Sequence, residues 1–318
     1  MKGLELARRY YEEYGTKMIE EVCPDISSRI AVGLVGEGSQ CFGYDDVISQ
    51  DHDFGPGFCL WLNQHDYICS GKKLQKAYEQ LPGEFCGFSS DGIQDKDRIG
   101  VSSIKGFYKK YLGITESPKT NREWLFLKET ALAVCTNGEV FRDDLGKFSE
   151  VRKTLFNFYP EDVLRKKIAA RAAVMSQAGQ YNLMRCLRRE DKVAAMFSLS
   201  EFMKASLSII YLLNRKYMPF YKWAYKGALD LPKLHDTVVK IGKLNDLMCN
   251  LGPCGCLKAN TIAFDITEDV CTDVADELNN QGFSAVSSAF LQDHLDDIMA
   301  GIEDPEIRAL PVIFDYGF

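Results

Sequence analysis

Residues Leu34 to Leu62 read LVGEGSQCFGYDDVISQDHDFGPGFCLWL, and the rest of the chain can be read outward from them. A short apolar run, Ile30 to Val35, leads into a Gly-Ser pair, Gly38-Ser39. Eleven residues separate Ser39 from Asp51, which starts Asp51-His52-Asp53, and the apolar run Phe58 to Leu62 closes the stretch. The first run is expected to be a buried strand that ends in a turn. Glycines let backbone N–H groups approach a phosphate closely, and the Ser39 hydroxyl can donate to a terminal phosphate oxygen. Residues 51–62 are expected to form the next strand, bent at Gly55-Pro56-Gly57.

In a strand, positions i and i+2 share a face. Asp51 and Asp53 would then face the same way, with Cα atoms roughly 6.5 Å apart, and His52 would turn away. That spacing suits carboxylates that grip divalent ions about 3.5–4 Å apart for in-line displacement at phosphorus. Asp45 and Asp46 lie just upstream, which makes four carboxylates in nine residues. Such a cluster repels itself unless a cation relieves it, and hard oxygen ligands suit Mg²⁺. A phosphate grip beside paired carboxylates is the layout that nucleotidyl transfer from a nucleoside triphosphate requires.

The bulk numbers constrain the rest. At 318 residues the chain exceeds the usual single domain, so two are expected. It is 46% hydrophobic and 26% charged, an ordinary globular composition. With 38 basic and 45 acidic residues the net charge is −7, which disfavours a protein built to grip a nucleic-acid backbone. Eleven cysteines are scattered along the chain, and Met1 to Ile19 is charged and amphipathic rather than a signal peptide. Reduced thiols and a cytoplasmic location follow as expectations. No uncharged apolar run approaches the length of a membrane span, so no membrane association is expected.

Further along, residues 2–22 have helical spacing, ended by Pro24. Lys72 to Leu81 reads as a helix, Asp91 to Arg98 as a charged loop, Ile99 to Ile104 as a strand and Phe107 to Leu112 as a helix. Asn137-Gly138 is a hairpin signal before Glu139 to Asp143. From Glu161 to Lys226 the pattern is strongly helical, and residues 233–318 look helical too. The expected organisation is therefore α+β. A mixed β-sheet with flanking helices would occupy residues 1–155, and a mostly α-helical domain residues 156–318.

Gly38-Ser39, the spacer and Asp51-His52-Asp53 resemble the Gly-Ser…Asp-x-Asp signature of the DNA polymerase beta-like nucleotidyltransferase superfamily. The longer stretch GEGSQCFGYDDVISQDHDFGPGF, with NGEVFRDDLG, FYPEDV, GQYN and YMPFYKW downstream, is similar to one bacterial branch of unknown function. The resemblance covers most of residues 30–226. It implies a nucleotidyltransferase-type sheet and a helical domain that closes over nucleotide and acceptor. It also implies that Gly38 and Ser39 contact phosphate and that Asp51 and Asp53 hold Mg²⁺ (or Mn²⁺). The superfamily adds a third carboxylate on a later strand, as metal ligand or base. Val101-Ser102-Ser103-Ile104 has none, which leaves Asp143 as the candidate, with Glu139 and Asp144 behind it.

The expected activity is metal-dependent transfer of a nucleoside monophosphate, ATP being a natural donor, to an acceptor hydroxyl on a small molecule or a protein. Without a third carboxylate, the alternative is a catalytically degenerate module that binds a nucleotide or a partner. Arg185 and Lys222, in the family-like helical blocks, are candidate phosphate contacts, against the ordinary reading of solvated helix faces. Three rival motifs are weaker. Asp53-Phe54-Gly55 spells a kinase metal motif but lacks the upstream elements of a kinase. His52-Asp53 spells a phosphohydrolase dyad with only His65, His235 and His294 as partners. Cys249, Cys254 and Cys256 offer zinc three thiolates without a clear fourth ligand.

Overall fold

A computed structural model describes residues 1–50, 52–249 and 257–315, apart from the side chains of 248–249 and 257–259. The architecture is mixed α+β, divided into two compact units. The first comprises Met1–Pro118 and Thr130–Phe158, the second Lys119–Glu129 and Tyr159–Phe318. The two units divide at Phe158, and residues 119–129 belong to the second.

The first unit is a four-stranded sheet between helical layers. Its strands are β1 (Ala31–Leu34), β2 (Cys59–Leu62), β5 (Gly100–Ser103) and β6 (Glu139–Arg142). Two short strands, β3 (Glu84–Phe85) and β4 (Phe88–Ser89), form a separate hairpin. The sheet order is β5-β2-β1-β6, with β1 antiparallel to both β2 and β6, and β2 parallel to β5. β1 and β2 are buried along their whole length, which explains their unbroken apolar sequences.

Alternation divides the side chains of β2 between two layers. Leu60 and Leu62 join Val32, Leu6, Ile19 and Leu74 in a core. Their helical partners are the N-terminal helix and the helix Gln64–Tyr78. The N-terminal helix runs from Gly3 to Val22 through a π-helical turn at Tyr11–Gly15. Trp61 faces the opposite layer, stacked on Phe148 at 3.9 Å between ring centroids and edge-on to Phe107 at 5.6 Å. Phe107 and Phe148 come from the helices Ile104–Leu112 and Lys147–Phe156.

Asn137-Gly138 does not close a hairpin. The strand that follows it, β6, pairs with β1, which lies about a hundred residues earlier. A side chain at Gly138 would collide with the Leu34 carbonyl, and φ is +59° there, so glycine lets the two segments approach.

The second unit is helical. The helix Glu161–Met175 lies at its centre and is buried on nearly every face. Lys192–Leu213 packs beside it, burying Leu199, Phe202, Ile209 and Leu212. Among the described residues, this is the one helix long and apolar enough by composition to cross a membrane, and half of its apolar window is buried inside the protein.

Candidate functional site

The Gly-rich turn occupies the C-terminal end of β1. Gly36 and Gly38 have φ of +145° and +105°, and a short helix, Ser39–Phe42, follows. Gly38 and Ser39 are half-buried, and Glu37 between the two glycines is exposed. Asn137 holds the turn from the far side of β1. Its Oδ1 accepts from Gly36 N at 3.1 Å and its Nδ2 donates to Gly36 O at 2.7 Å. Gly138 N donates to Cys41 O at 2.7 Å, which fixes the end of the turn. Both residues of the Asn-Gly pair therefore brace the Gly-rich turn.

Asp53 is not on a strand. β2 begins at Cys59, and Asp53 lies in a bend with φ of +52°, upstream of Gly55-Pro56-Gly57. The expected strand over residues 51–62 is corrected here, because the Gly-Pro-Gly segment delays its start to Cys59. Asp51 lies outside the described residues. The Asp53 carboxylate instead organises the loop that precedes β5. Oδ1 accepts from Gln94 N at 2.8 Å and Asp95 N at 3.1 Å, while Asp53 N donates to Gly92 O at 2.8 Å. Oδ2 lies 3.2 Å from Arg98 Nη1. Burial opposes ionisation of Asp53, but the amides of Asp95 and Gln94 and the Arg98 charge outweigh it, so its pKa is below the ordinary carboxylate value.

Arg98 links the acid to the turn. Its Nη2 donates to Glu37 O at 2.7 Å, and any Cβ at Gly38 would overlap its guanidinium. Its Nε is buried with no hydrogen-bond partner among the described residues. Arg98 thus fills the space where the turn faces Asp53. It also lines a cavity of about 880 Å³ beside β5, together with Lys96, Lys110, Tyr111, Ser102 and Trp61.

The other acids are committed elsewhere. Asp45 is buried at the start of the N-terminal helix, accepting from Gly3 N at 2.9 Å with Lys2 3.7 Å away. Asp46 accepts from Ser49 N and Oγ, both at 2.9 Å. Asp143 follows Arg142, which pairs with Val32, so it leaves β6 at the opposite end of β1 from the Gly-rich turn. The separation is on the order of 10 Å by strand rise alone. Its carboxylate accepts from Ser149 N at 2.8 Å, in the first turn of the helix Lys147–Phe156. Antiparallel pairing therefore carries Asp143, the expected third carboxylate, to the end of β1 away from the turn. Glu139 pairs with Leu34 at the correct end but is ion-paired with Arg8. Asp144 pairs with Arg142 at 2.9 Å.

Among the described residues, no group of three or more His, Cys, Asp or Glu side chains is placed to hold a metal ion. Asp53 brings one carboxylate, already carrying a guanidinium and two amides, so the described residues do not complete a magnesium site. The Cys249, Cys254 and Cys256 zinc alternative lies outside the described side chains.

In the second unit, Arg185 and Lys222 stand exposed on separate helices, Met184–Arg188 and Tyr221–Ala228. Arg185 donates to Tyr181 Oη at 2.6 Å and lies 4.6 Å over that ring. The Lys222 ammonium is 5.3 Å from the Trp223 ring. Gln180, in the same family-like block as Tyr181, is structural: its amide bonds Glu268, Ala289 and Leu291.

Arg98 and Asn137 are the two residues that sequence reading missed. Arg98 was legible only as one cation in a charged loop. Asn137 carried a turn signal that described the wrong contact.

A sequence family described as a domain of unknown function (DUF4037) matches residues 124–224. The match covers under half of the chain and lies downstream of the Gly-rich turn. No curated protein and no solved structure matches the chain.

Proposed function

We propose that the first unit binds the phosphates of a nucleoside triphosphate on the Gly36–Ser39 turn and transfers its nucleoside monophosphate to an acceptor hydroxyl. The observation that carries this reading is the Arg98 guanidinium, suspended between the turn carbonyl of Glu37 and the carboxylate of Asp53. A planar cation with a buried, unpaired Nε–H is suited to an incoming phosphate, which can take more of its donors than one carbonyl and one carboxylate do. The adjoining cavity of about 880 Å³ is large enough for a nucleoside.

In the proposed reaction, the acceptor oxygen attacks the α-phosphorus as the bond to the bridging oxygen breaks. Pyrophosphate leaves with that electron pair, and the acceptor proton passes to solvent. Mg²⁺ (or Mn²⁺), when bound, neutralises charge on the phosphates. In this reading Asp53 holds it together with Asp51, which lies outside the described residues. The negative net charge favours a small molecule or a protein side chain over an RNA end as acceptor. The free thiols among the described residues fit a reducing, cytoplasmic setting.

A second reading is a nucleotide-binding or partner-binding module that has lost turnover. Two observations favour it. β5 has no carboxylate beside β2, and both Asp53 oxygens are already engaged.

Calorimetric titration with ATP and Mg²⁺, followed by pyrophosphate release across hydroxyl acceptors, separates the two readings. Binding that is lost in Gly38→Ala, with pyrophosphate release that is lost in Asp53→Asn, supports transfer. Binding without release across all acceptors supports the second reading. Absence of nucleotide binding by the wild-type chain sinks both. The same titration of Arg185→Ala and Lys222→Ala tests the contribution expected of the helical unit.

A further inference from the structure

β5 is an outer strand of the sheet, and among the described residues no strand pairs with its far edge. Gly100 N donates to Phe58 O at 2.9 Å, toward β2. The N–H and C=O groups of Val101 therefore point the other way, and so does the N–H of Ser103. A side chain meets the first of these donors. Gln75 Oε1, from the helix Gln64–Tyr78, accepts from Val101 N at 2.8 Å, while its Nε2 donates to Glu79 at 2.9 Å. A half-buried glutamine thus stands where a neighbouring strand would supply a carbonyl. An open edge of this kind is a template for pairing with another chain.

The edge faces open space. Gly100, Val101, Ser102 and Ser103 all line the cavity of about 880 Å³, whose walls belong entirely to the first unit. The cavity follows β5 for its full length, about 13 Å, which leaves room beyond a nucleoside at the Arg98 end. It also reaches both faces of the sheet. Tyr78 and Leu81 on its wall pack on the core layer of Leu60, whereas Trp61 and Phe107 belong to the opposite layer. An extended peptide sends alternate side chains to both faces, as such a space requires. Lys96, Arg98 and Lys110 are balanced on the wall by Glu79, Asp91 and Asp97, which suits a peptide without strong net charge. Gly33, Cys59 and Gly100 stand in one row across the sheet. The Gly-rich turn after β1 and Arg98 before β5 therefore lie at the same end, where Arg98 Nη2 donates to Glu37 O at 2.7 Å.

We propose that the β5 edge docks an extended peptide segment of a partner protein as an added strand, that Gln75 is the stand-in it displaces, and that this peptide carries the acceptor hydroxyl. Main-chain pairing supplies the affinity, so the docking tolerates many sequences. The acceptor role rests on the nucleotidyl transfer proposed above, whereas the docking does not. In that transfer the peptide hydroxyl oxygen bonds to the α-phosphorus as the bond to the bridging oxygen breaks. Pyrophosphate leaves with the electron pair, and the hydroxyl proton passes to solvent.

The probe is an acetylated, amidated hexapeptide of alternating valine and threonine with one central tyrosine, titrated calorimetrically into the full chain. The control is the same peptide N-methylated throughout, which cannot donate to a strand. The control is expected to bind at least about tenfold more weakly than the probe. Val101→Pro removes an N–H outside the β2 ladder, so the sheet should survive while probe affinity falls about tenfold. Gln75→Ala removes the internal competitor and should tighten binding by about two- to tenfold. With ATP and Mg²⁺, mass spectrometry should find the probe nucleotidylated. No binding of the probe, or equal binding of probe and control, overturns the docking. Self-association of the wild type that Val101→Pro abolishes in sedimentation assigns the edge to a second copy and overturns it too. A docked but unmodified probe, with pyrophosphate released on small hydroxyl acceptors, refutes the acceptor role. A docked probe with no nucleotide binding sinks the transfer reading alone and leaves the docking site standing. If Val101→Pro does not fold, hydrogen exchange on the wild type decides. The probe should slow exchange at Ser103, and unchanged exchange there refutes the site.

Discussion

Arg98 and Asp53 form an ion pair 3.2 Å long at the mouth of the Gly-rich turn, and the same guanidinium donates to the turn itself. Under the proposed function the cation is thereby held beside the bound phosphates. Arg98→Met should leave Asp53 anchored by the Gln94 and Asp95 amides while removing the positive charge. Nucleoside triphosphate affinity is then expected to fall by about 10- to 100-fold, the range for a lost charge-assisted hydrogen bond. Arg98→Lys should recover only part of this, because one ammonium cannot span the two partners as a guanidinium does. Calorimetry on the two variants checks both statements.

Gly38→Ala should separate stability from binding. A methyl group there must push the Arg98 guanidinium aside, and φ of +105° adds strain of about 1–2 kcal/mol. Gly43→Ala is the control. It has φ of +72° with open space around the added carbon, so it should lose about 1 kcal/mol of stability and retain nucleotide affinity. Urea denaturation and nucleotide titration of both variants give the comparison.

Asn137 should prove a positioning residue for the turn. Asn137→Asp keeps the acceptor for Gly36 N but replaces the donor to Gly36 O with a second acceptor. A part-buried carbonyl left facing a carboxylate is expected to cost about 1–3 kcal/mol. Hydrogen exchange should show faster opening at Gly36, with the amides of β2 less affected. Unchanged exchange at Gly36 would show that the turn holds its shape without the clamp.

The pH dependence of the first unit should carry a signature of Asp66. Arg29 grips its two oxygens at 2.8 Å each, and Asn63 adds a third hydrogen bond. These bonds, Arg29 first, outweigh burial and hold the Asp66 pKa below its ordinary value. A carboxyl depressed in the folded state stabilises fully above its unfolded pKa of about 3.9, and that contribution is lost as pH falls through the folded value. Asp66→Asn should therefore lower neutral-pH stability by about 1–2 kcal/mol, a figure kept small because Arg29 is partly exposed. The variant should also flatten the loss of stability below about pH 4. Denaturation curves from pH 2 to 7 test the sign.

Local signals in this chain were legible where the partner was near or the environment uniform. Ile30 to Val35 and Phe58 to Leu62 are apolar because both faces of β1 and β2 are covered, and both strands lie within the expected runs. The helices at Gly3–Val22 and Ile104–Leu112 were signalled by their own periodicity. Asp53 was misread because strand alternation was extended through Gly55-Pro56-Gly57, which interrupts it. Where Asp143 lies was not legible, because its position depends on the antiparallel register of β6 on β1, and nothing near Asp143 encodes that register. Arg98 and Asn137 act on a turn roughly 60 and 100 residues away in sequence. Pairings of that reach leave no periodic trace.

The excursion of residues 119–129 into the second unit bears on how the polypeptide matures. During synthesis, the sheet still lacks its last strand, β6, when this portion of the helical unit has already been made. Glu129 must then wait for Arg171 to emerge before its charge is met. A fragment that starts after Phe158 omits Glu129 and removes one of the two carboxylates that face the buried Arg171, so excising the helical unit as one contiguous piece should give a less stable product, whereas grafting 119–129 onto its N-terminus should restore that pairing.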